Sequence, residues 1–126
     1  GVELLLDDCE ELEMETDRNM LTQILTNLLT NAIKHTREGF IRFGYKKTDG
    51  FVEFFIQDSG EGIPEDKVDS IFSRFVQLDD WSKGVGLGLA ICKGLVGQMQ
   101  GKIWATSKLG EGSVFFVRLP LTVNII

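Results

Sequence analysis

The sequence has little of what would cross-link the chain or bind it to a membrane. It has only two cysteines, two prolines and one histidine among 126 residues. Cys9 and Cys92 are far apart and lack the paired spacing of a zinc site, so we expect two reduced thiols. No apolar run approaches the roughly 18 residues that a membrane helix needs. With no secretory leader visible, the sequence predicts a cytoplasmic domain. This prediction is compatible with a membrane anchor in another part of the parent protein.

The charge and the composition argue against a nucleic-acid-binding protein and against a repeat or low-complexity protein. The net charge of −6 argues against broad nucleic-acid binding, so any anionic ligand must rely on a local site. The chain also lacks repeats, linkers and low-complexity stretches, and its 43% hydrophobic content is ordinary for a globular protein. We therefore expect residues 1–126 to form one monomeric domain, taken from a longer protein.

Hydrophobic periodicity predicts alternating strands and helices. Strands are predicted at 2–6, 12–15, 39–47, 51–58, 101–107 and 112–119, and helices at 17–35, 64–72 and 87–99. Thr16 or Asp17 is the expected N-cap of the first helix. This order predicts an α/β fold in two layers, with a mostly antiparallel sheet and about three helices on one face.

One side of the first helix carries Asn27, Asn31 and Lys34. Asn31 borders the apolar stripe, so its amide oxygen can point into a cleft while the stripe packs on the sheet. An amide oxygen is a suitable ligand for Mg²⁺, which also takes oxygens from phosphates. Lys34, one turn later, can reach the same phosphates. The alternative is an ordinary solvated polar face.

A carboxylate ends the strand at 51–58. Asp58 continues the inward parity of Val52, Phe54 and Ile56, so it needs a partner, and the amino group of adenine is a suitable one. Gly60 and Gly62 would let the backbone turn close to the base. The alternative is a strand-end aspartate that makes an Asx-turn.

A second glycine cluster precedes the last helix. Its spacing is neither the dinucleotide fingerprint nor a Walker loop, but its backbone N–H groups and the helix dipole can bind phosphates. The alternative is a flexible hinge. The cluster comprises Gly84, Val85, Gly86, Leu87, Gly88 and Leu89.

Taken together, these segments resemble the catalytic and ATP-binding domain of sensor histidine kinases, within the superfamily of gyrase B, HSP90 and MutL. Residues 27–34 resemble the N box, 58–63 the G1 box, 72–75 the F box and 84–89 the G2 box. The resemblance implies the Bergerat two-layer sandwich, ATP and Mg²⁺ as cofactors, Asn31 as the metal ligand and a short lid at 76–83. It further implies nucleotide contacts from Lys34, His35, Asp58, Gly60, Gly62, Ile63, Arg74, Phe75, Lys83 and the second glycine cluster.

The family pattern also bears on mechanism. Where ATPase relatives place a water-activating Glu, this chain has Asn27, and an amide is no general base at neutral pH. We therefore expect Asn27, Asn31 and Lys34 to hold the γ-phosphoryl for a histidine on the dimerisation domain of the same homodimeric parent. A response regulator would then receive the phosphate.

Several departures leave alternatives open. Gln77 stands where relatives carry a cation, which Arg74 or Lys83 would have to supply, and Val85 replaces a hydroxyl residue. His35 contacts the nucleotide region or is a packed core residue. The rival functions are an anti-sigma-type serine kinase and a nucleotide-binding switch without phosphotransfer.

Two aromatic sets are also ambiguous. Phe72 and Phe75 are core residues or a docking surface for the partner helix. Phe55, Trp104 and Phe116 are predicted to point away from the helices, where they would form an interface or remain isolated exposed aromatics.

Overall fold

The computed structural model describes residues 2–6, 17–72 and 86–121. The strand predicted at 12–15 lies outside these residues, as do Arg74, Phe75, Gln77, Lys83, Gly84 and Val85. The described elements, in chain order, are β1 (Val2–Leu6), α1 (Arg18–His35), β2 (Gly39–Thr48), β3 (Phe51–Asp58), a 3₁₀ helix (Glu65–Ser70), α2 (Gly86–Gln98), β4 (Lys102–Lys108) and β5 (Gly112–Pro120).

The five strands form one sheet in the order β1-β2-β3-β5-β4. Only the β1–β2 pair is parallel, so the prediction of a mostly antiparallel sheet is confirmed. Burial alternates along β3, where Val52, Phe54, Ile56 and Asp58 are buried and the residues between them are more accessible. This alternation sets one face of the sheet against the helices and produces the predicted two-layer sandwich.

Helix α1 forms where its capping residue and its apolar spacing predict it. The Asp17 side chain accepts a hydrogen bond from the Met20 N–H at 3.0 Å, so Asp17 is the N-cap and the helix begins at Arg18. Ile24, Leu28 and Ala32 bury the inner stripe of the helix in the core. The polar residues on the same helix therefore lie at the edge of this packed layer.

The segment predicted as a helix at 64–72 is instead a 3₁₀ helix of six residues. Pro64 has φ −54° and ψ 135°, so it lies outside the helix in extended backbone rather than opening it. The Lys67 N–H donates to the Pro64 carbonyl oxygen three residues earlier at 2.8 Å, which is the hydrogen-bond spacing of a 3₁₀ helix. Val68 packs against the core, and Ile71 and Phe72, which follow the 3₁₀ helix, are buried in it. The described residues therefore contain two α-helices and one 3₁₀ helix where three helices were predicted.

Helix α2 runs one residue ahead of its predicted bounds of 87–99 at each end. It ends at Gln98 because the chain turns at Gln100, which has a positive φ of 62°. The Gly101 N–H then closes the helix end on the Val96 carbonyl at 2.9 Å. The turn directs the chain into β4.

The outer face of the sheet carries the three predicted aromatic residues. Phe55, Phe116 and Trp104 occupy neighbouring register positions on β3, β5 and β4. The rings of Trp104 and Phe116 stack at 5.2 Å with 15° between their planes. The predicted orientation is confirmed, and an interface on this face stays a prediction.

Candidate functional site

Helix α1 carries a buried amide oxygen that lacks a hydrogen-bond partner among the described residues. Asn31 is 4% exposed, and its Oδ1 has no hydrogen-bond partner within the described ranges. Leaving a buried acceptor unpaired costs about 1–3 kcal/mol, so such an atom calls for an explanation. An unpaired amide oxygen has the donor chemistry of a hard cation ligand, and Asn31 therefore fits Mg²⁺.

Asn27 lies one turn earlier and has a different environment. Its side chain hydrogen-bonds the Cys92 thiol, which also lies 3.7 Å from the Ile24 carbonyl oxygen. Burial raises the pKa of Cys92 to about 11, so the thiol stays protonated. Asn27 thus joins α1 to α2. This contact has no signal in the sequence, because Cys92 belongs to a distant helix.

Asp58 ends β3 as a buried carboxylate, 4% exposed. Burial raises its pKa above the usual value, while hydrogen bonds from the Gly60 and Ser113 N–H groups act in the opposite direction. The Gly60 N–H lies 2.9 Å from Oδ1, so the Asx-turn considered as an alternative is present. The carboxylate retains lone pairs for a further donor, and its role in reading a base stays a prediction.

The end of α1 packs directly on the loop at residues 58–63. A Cβ on Gly60 would lie 2.1 Å from the His35 carbonyl oxygen, so only glycine fits there. The Nδ1 of His35 lies 2.7 Å from Glu61 Oε1, where it donates a hydrogen bond to the carboxylate. Glu61 was not predicted as a site residue. The sequence could not reveal the contact, because 26 positions separate it from His35.

A cavity of about 610 Å³ opens beside this contact. Lys34, His35, Arg37, Gly60 and Glu61 are among the residues that line it, so three predicted site residues come together with two that were missed. Arg37 was not predicted because it is a charged loop residue outside the four motifs. Glu61 lies within the motif at 58–63, but the prediction there rested on Asp58 and the glycines. The cavity wall therefore combines cationic and anionic side chains.

The remaining predicted residues are distributed around this region. Asp58 lines a separate cavity of about 330 Å³, together with Ser107 and Ser113. Ile63 and Leu89 are buried core side chains. Gly86, Leu87 and Gly88 form the first turn of α2, whose backbone N–H groups have no intrahelical partners. Within the described ranges, no cluster of three or more His, Cys, Asp or Glu residues could hold a metal.

Comparison with known proteins identifies relatives of this arrangement. A family model described as histidine kinase-, DNA gyrase B- and HSP90-like ATPase matches residues 16–123. The chain is 40% identical over 121 residues to the sensor protein kinase WalK of Staphylococcus haemolyticus, covering 90% of this chain and 20% of WalK. It is 39% identical over 109 residues to the adaptive-response sensory kinase SasA of Synechococcus elongatus, covering 83% of this chain and 28% of SasA. The chain thus spans less than a third of either curated relative.

Solved structures agree with these sequence matches. The catalytic domain of histidine kinase ThkA superposes with a TM-score of 0.84 at 35% identity, covering 96% of this chain and 81% of that chain. Full-length ShkA in complex with AMPPNP gives a TM-score of 0.87 at 32% identity, covering 100% of this chain and 27% of that chain.

The sheet, the helices and these matches define an ATP-binding catalytic domain of the histidine-kinase type. The chain belongs to the histidine kinase-, DNA gyrase B- and HSP90-like ATPase family, which confirms the resemblance seen in the four sequence motifs. In the described part of the chain, no helix is both long enough and apolar enough to cross a membrane.

Proposed function

We propose that this chain binds Mg-ATP and donates the γ-phosphoryl group to a histidine on the dimerisation domain of its own sensor kinase. The observation that carries the proposal is the buried Oδ1 of Asn31, which has no hydrogen-bond partner among the residues that the structure describes. Transfer of a phosphoryl group depends on a metal and fixed donor groups that position the phosphates and neutralise their charge. An orphaned amide oxygen on α1 gives the metal a protein ligand.

The phosphate end of the site is assigned to α1, α2 and the residues at 74–85 that precede α2. Asn31 would hold Mg²⁺, and the metal would neutralise charge on the phosphate oxygens. Lys34 is exposed beside the 610 Å³ cavity and is free to extend toward a phosphate. The first turn of α2, from Gly86, offers backbone N–H groups and the positive end of a helix dipole. Arg74, Phe75, Lys83, Gly84 and Val85 are proposed to complete this end.

The base end is assigned to Asp58 and the glycines that follow it. The Asp58 carboxylate is buried, and a desolvated acceptor gains most from a donor such as the amino group of adenine. Gly60 and Gly62 permit close approach, and the His35–Glu61 contact holds the loop beside α1. This division assigns adenine recognition to one loop and phosphate binding to the helices.

The fate of the phosphoryl group is inferred from Asn27. Its amide cannot take a proton from water, and its side chain is already engaged with Cys92. The site would therefore position ATP for a stronger nucleophile than water. A histidine from the helical dimerisation domain of a homodimeric parent would supply it, and a response regulator would receive the phosphate next.

Calorimetric titration with ATP, with and without Mg²⁺, tests the proposal. The unaltered chain should bind ATP more tightly with Mg²⁺, and Asn31→Ala should lose most of that Mg²⁺-dependent gain, about tenfold or more in affinity. Asn19→Ala, an exposed asparagine on the same helix, is the matched control and should bind as the unaltered chain does. Absence of ATP binding, or an Mg²⁺ gain that survives in Asn31→Ala, would contradict the proposal.

A further inference from the structure

The turn between β4 and β5 packs directly against the 58–63 loop. The Gly110 N–H donates to the Glu61 carbonyl oxygen at 2.8 Å. Gly62 has φ +76°, and a Cβ built on it would lie 2.3 Å from the Lys108 carbonyl oxygen. Backbone therefore meets backbone here, with no space for a side chain between the two segments. The position of the loop depends on the position of this hairpin.

One side chain ties the two segments together. The Ser107 hydroxyl accepts a hydrogen bond from the Ile63 N–H at 2.7 Å, at the end of the loop. The same hydroxyl lies 3.0 Å from the Gly112 carbonyl oxygen and 2.8 Å from Ser113 Oγ. A serine hydroxyl has one donor and two acceptor sites, so these three contacts use its full capacity. Ser107 thus bonds the loop and β5 at once.

Asp58 is held by the same two segments. Its carboxylate receives the N–H of Gly60 from the loop and the N–H of Ser113 from β5. The loop between Asp58 and Ile63 contains two glycines, so it has little stiffness of its own. Without the Ser107 contact, the Ile63 end of the loop would lose its side-chain anchor, and the direction of the Asp58 carboxylate would be less well defined.

We infer that Ser107 is a positioning residue that orients Asp58 for a base with an exocyclic amino group. The inference rests on the proposed nucleotide binding and deepens it. Ser107 acts from behind the loop and through Asp58, without touching the base. A recognition group must be held within about 0.5 Å of its productive position, and one anchored hydroxyl at the far end of a glycine-rich loop supplies that constraint.

The test compares affinities for ATP and for purine riboside triphosphate, which has hydrogen in place of the adenine amino group. Ser107→Val removes the hydroxyl and Ser107→Thr keeps it, and the two variants have the same shape. Thr106→Val is the matched control, because Thr106 is exposed on the opposite face of the same strand. Calorimetry in the presence of Mg²⁺ gives the ratio of the two affinities for each protein.

Loss of one anchoring hydrogen bond should lower the ATP-over-analogue ratio about fivefold in Ser107→Val. Ser107→Thr and Thr106→Val should keep the ratio of the unaltered chain. Ser107→Ala also removes the hydroxyl but adds no methyl groups. It therefore allows the same comparison if the valine variant misfolds.

Two outcomes overturn the inference alone. One is an unchanged ratio in folded Ser107→Val or Ser107→Ala, even with a lower melting temperature, because Ser107 would then be merely structural. The other is an equal loss in Ser107→Thr, because shape rather than the hydroxyl would then matter. If the unaltered chain bound neither nucleotide, the proposed function would fail as well. If it bound both equally, nucleotide binding would stand and base reading through Asp58 would fail.

Discussion

Asp58 is a residue whose proposed role in binding would come at the expense of stability. Its carboxylate is buried at the end of β3, and burial raises its pKa, so the fold disfavours the ionised form. A group whose pKa is raised by folding contributes stability below its unfolded pKa, and this stability is lost as the pH rises through the folded pKa. At neutral pH the ionised Asp58 therefore lowers the free energy of unfolding of the unliganded domain.

Asp58→Asn should therefore be more stable than the unaltered chain at neutral pH. The amide keeps the shape and one oxygen acceptor but carries no buried charge. The difference should shrink as the pH falls toward 3.8, the ordinary value for aspartate, because the native carboxyl is then protonated as well. Urea unfolding across this pH range measures the effect. A variant that is less stable at neutral pH would show that the hydrogen bonds to the carboxylate outweigh its desolvation.

The individual site residues could be predicted to different depths. The inward placement of Asn31 and Asp58 could be predicted because helical spacing and strand parity are local properties of the sequence, while their roles in binding stay predictions. Ser107 and Glu61 were missed because their contacts join distant positions, as in the Ser107–Ile63 hydrogen bond, which spans 44 residues. No local pattern encodes such a contact.

The same distinction holds for whole elements. Helix α1 was predicted to within one residue, since its Asp17 cap and apolar stripe both act within a few turns. The 3₁₀ helix at Glu65–Ser70 was predicted as a longer helix, because a proline followed by polar residues does not distinguish a short 3₁₀ turn from an α-helix. The strand order of the sheet was not predicted, because strand pairing is a nonlocal property.

Three glycines test how backbone conformation and space act within the elements. Gly94→Ala should stabilise the protein by about 0.5–1 kcal/mol, because alanine favours helix and nothing lies within 4 Å of the new Cβ. Gly50→Ala should cost about 1 kcal/mol, because its φ is +74° but the space is open. Gly62→Ala should cost more, about 2 kcal/mol or above, because a positive φ and the Lys108 carbonyl both oppose it.

Urea unfolding of the three variants gives this order directly. The Gly94 variant serves as the control for the substitution itself. If Gly62→Ala were no less stable than Gly50→Ala, the close approach of the 58–63 loop to the β4–β5 hairpin would be wrong. The contact proposed to position Asp58 would then lose its basis.

At the scale of the whole molecule, the two-layer fold draws the candidate site residues from three separate elements. Helix α1 contributes a candidate metal ligand, the end of β3 contributes a candidate base reader, and the first turn of α2 contributes a candidate phosphate site. Three of the four motifs predicted this division, and their described residues lie along α1, at the end of β3 and in the first turn of α2. Both strands of the β4–β5 hairpin were predicted, but its packing against the 58–63 loop became visible only in the folded structure.

The central claim is that the bound phosphoryl group goes to a histidine of another domain rather than to water. The most direct measurement uses ATP labelled at the γ-phosphate, incubated with this chain alone and with the chain joined to the histidine-bearing helical domain of its parent. The chain alone should release little phosphate, because Asn27 cannot activate water. It should also carry no label, because the proposed acceptor histidine lies on the helical domain. Acid-labile phosphohistidine should appear when the helical domain is present. Rapid phosphate release without an acceptor, or acid-stable phosphoserine on a partner protein, would contradict the account.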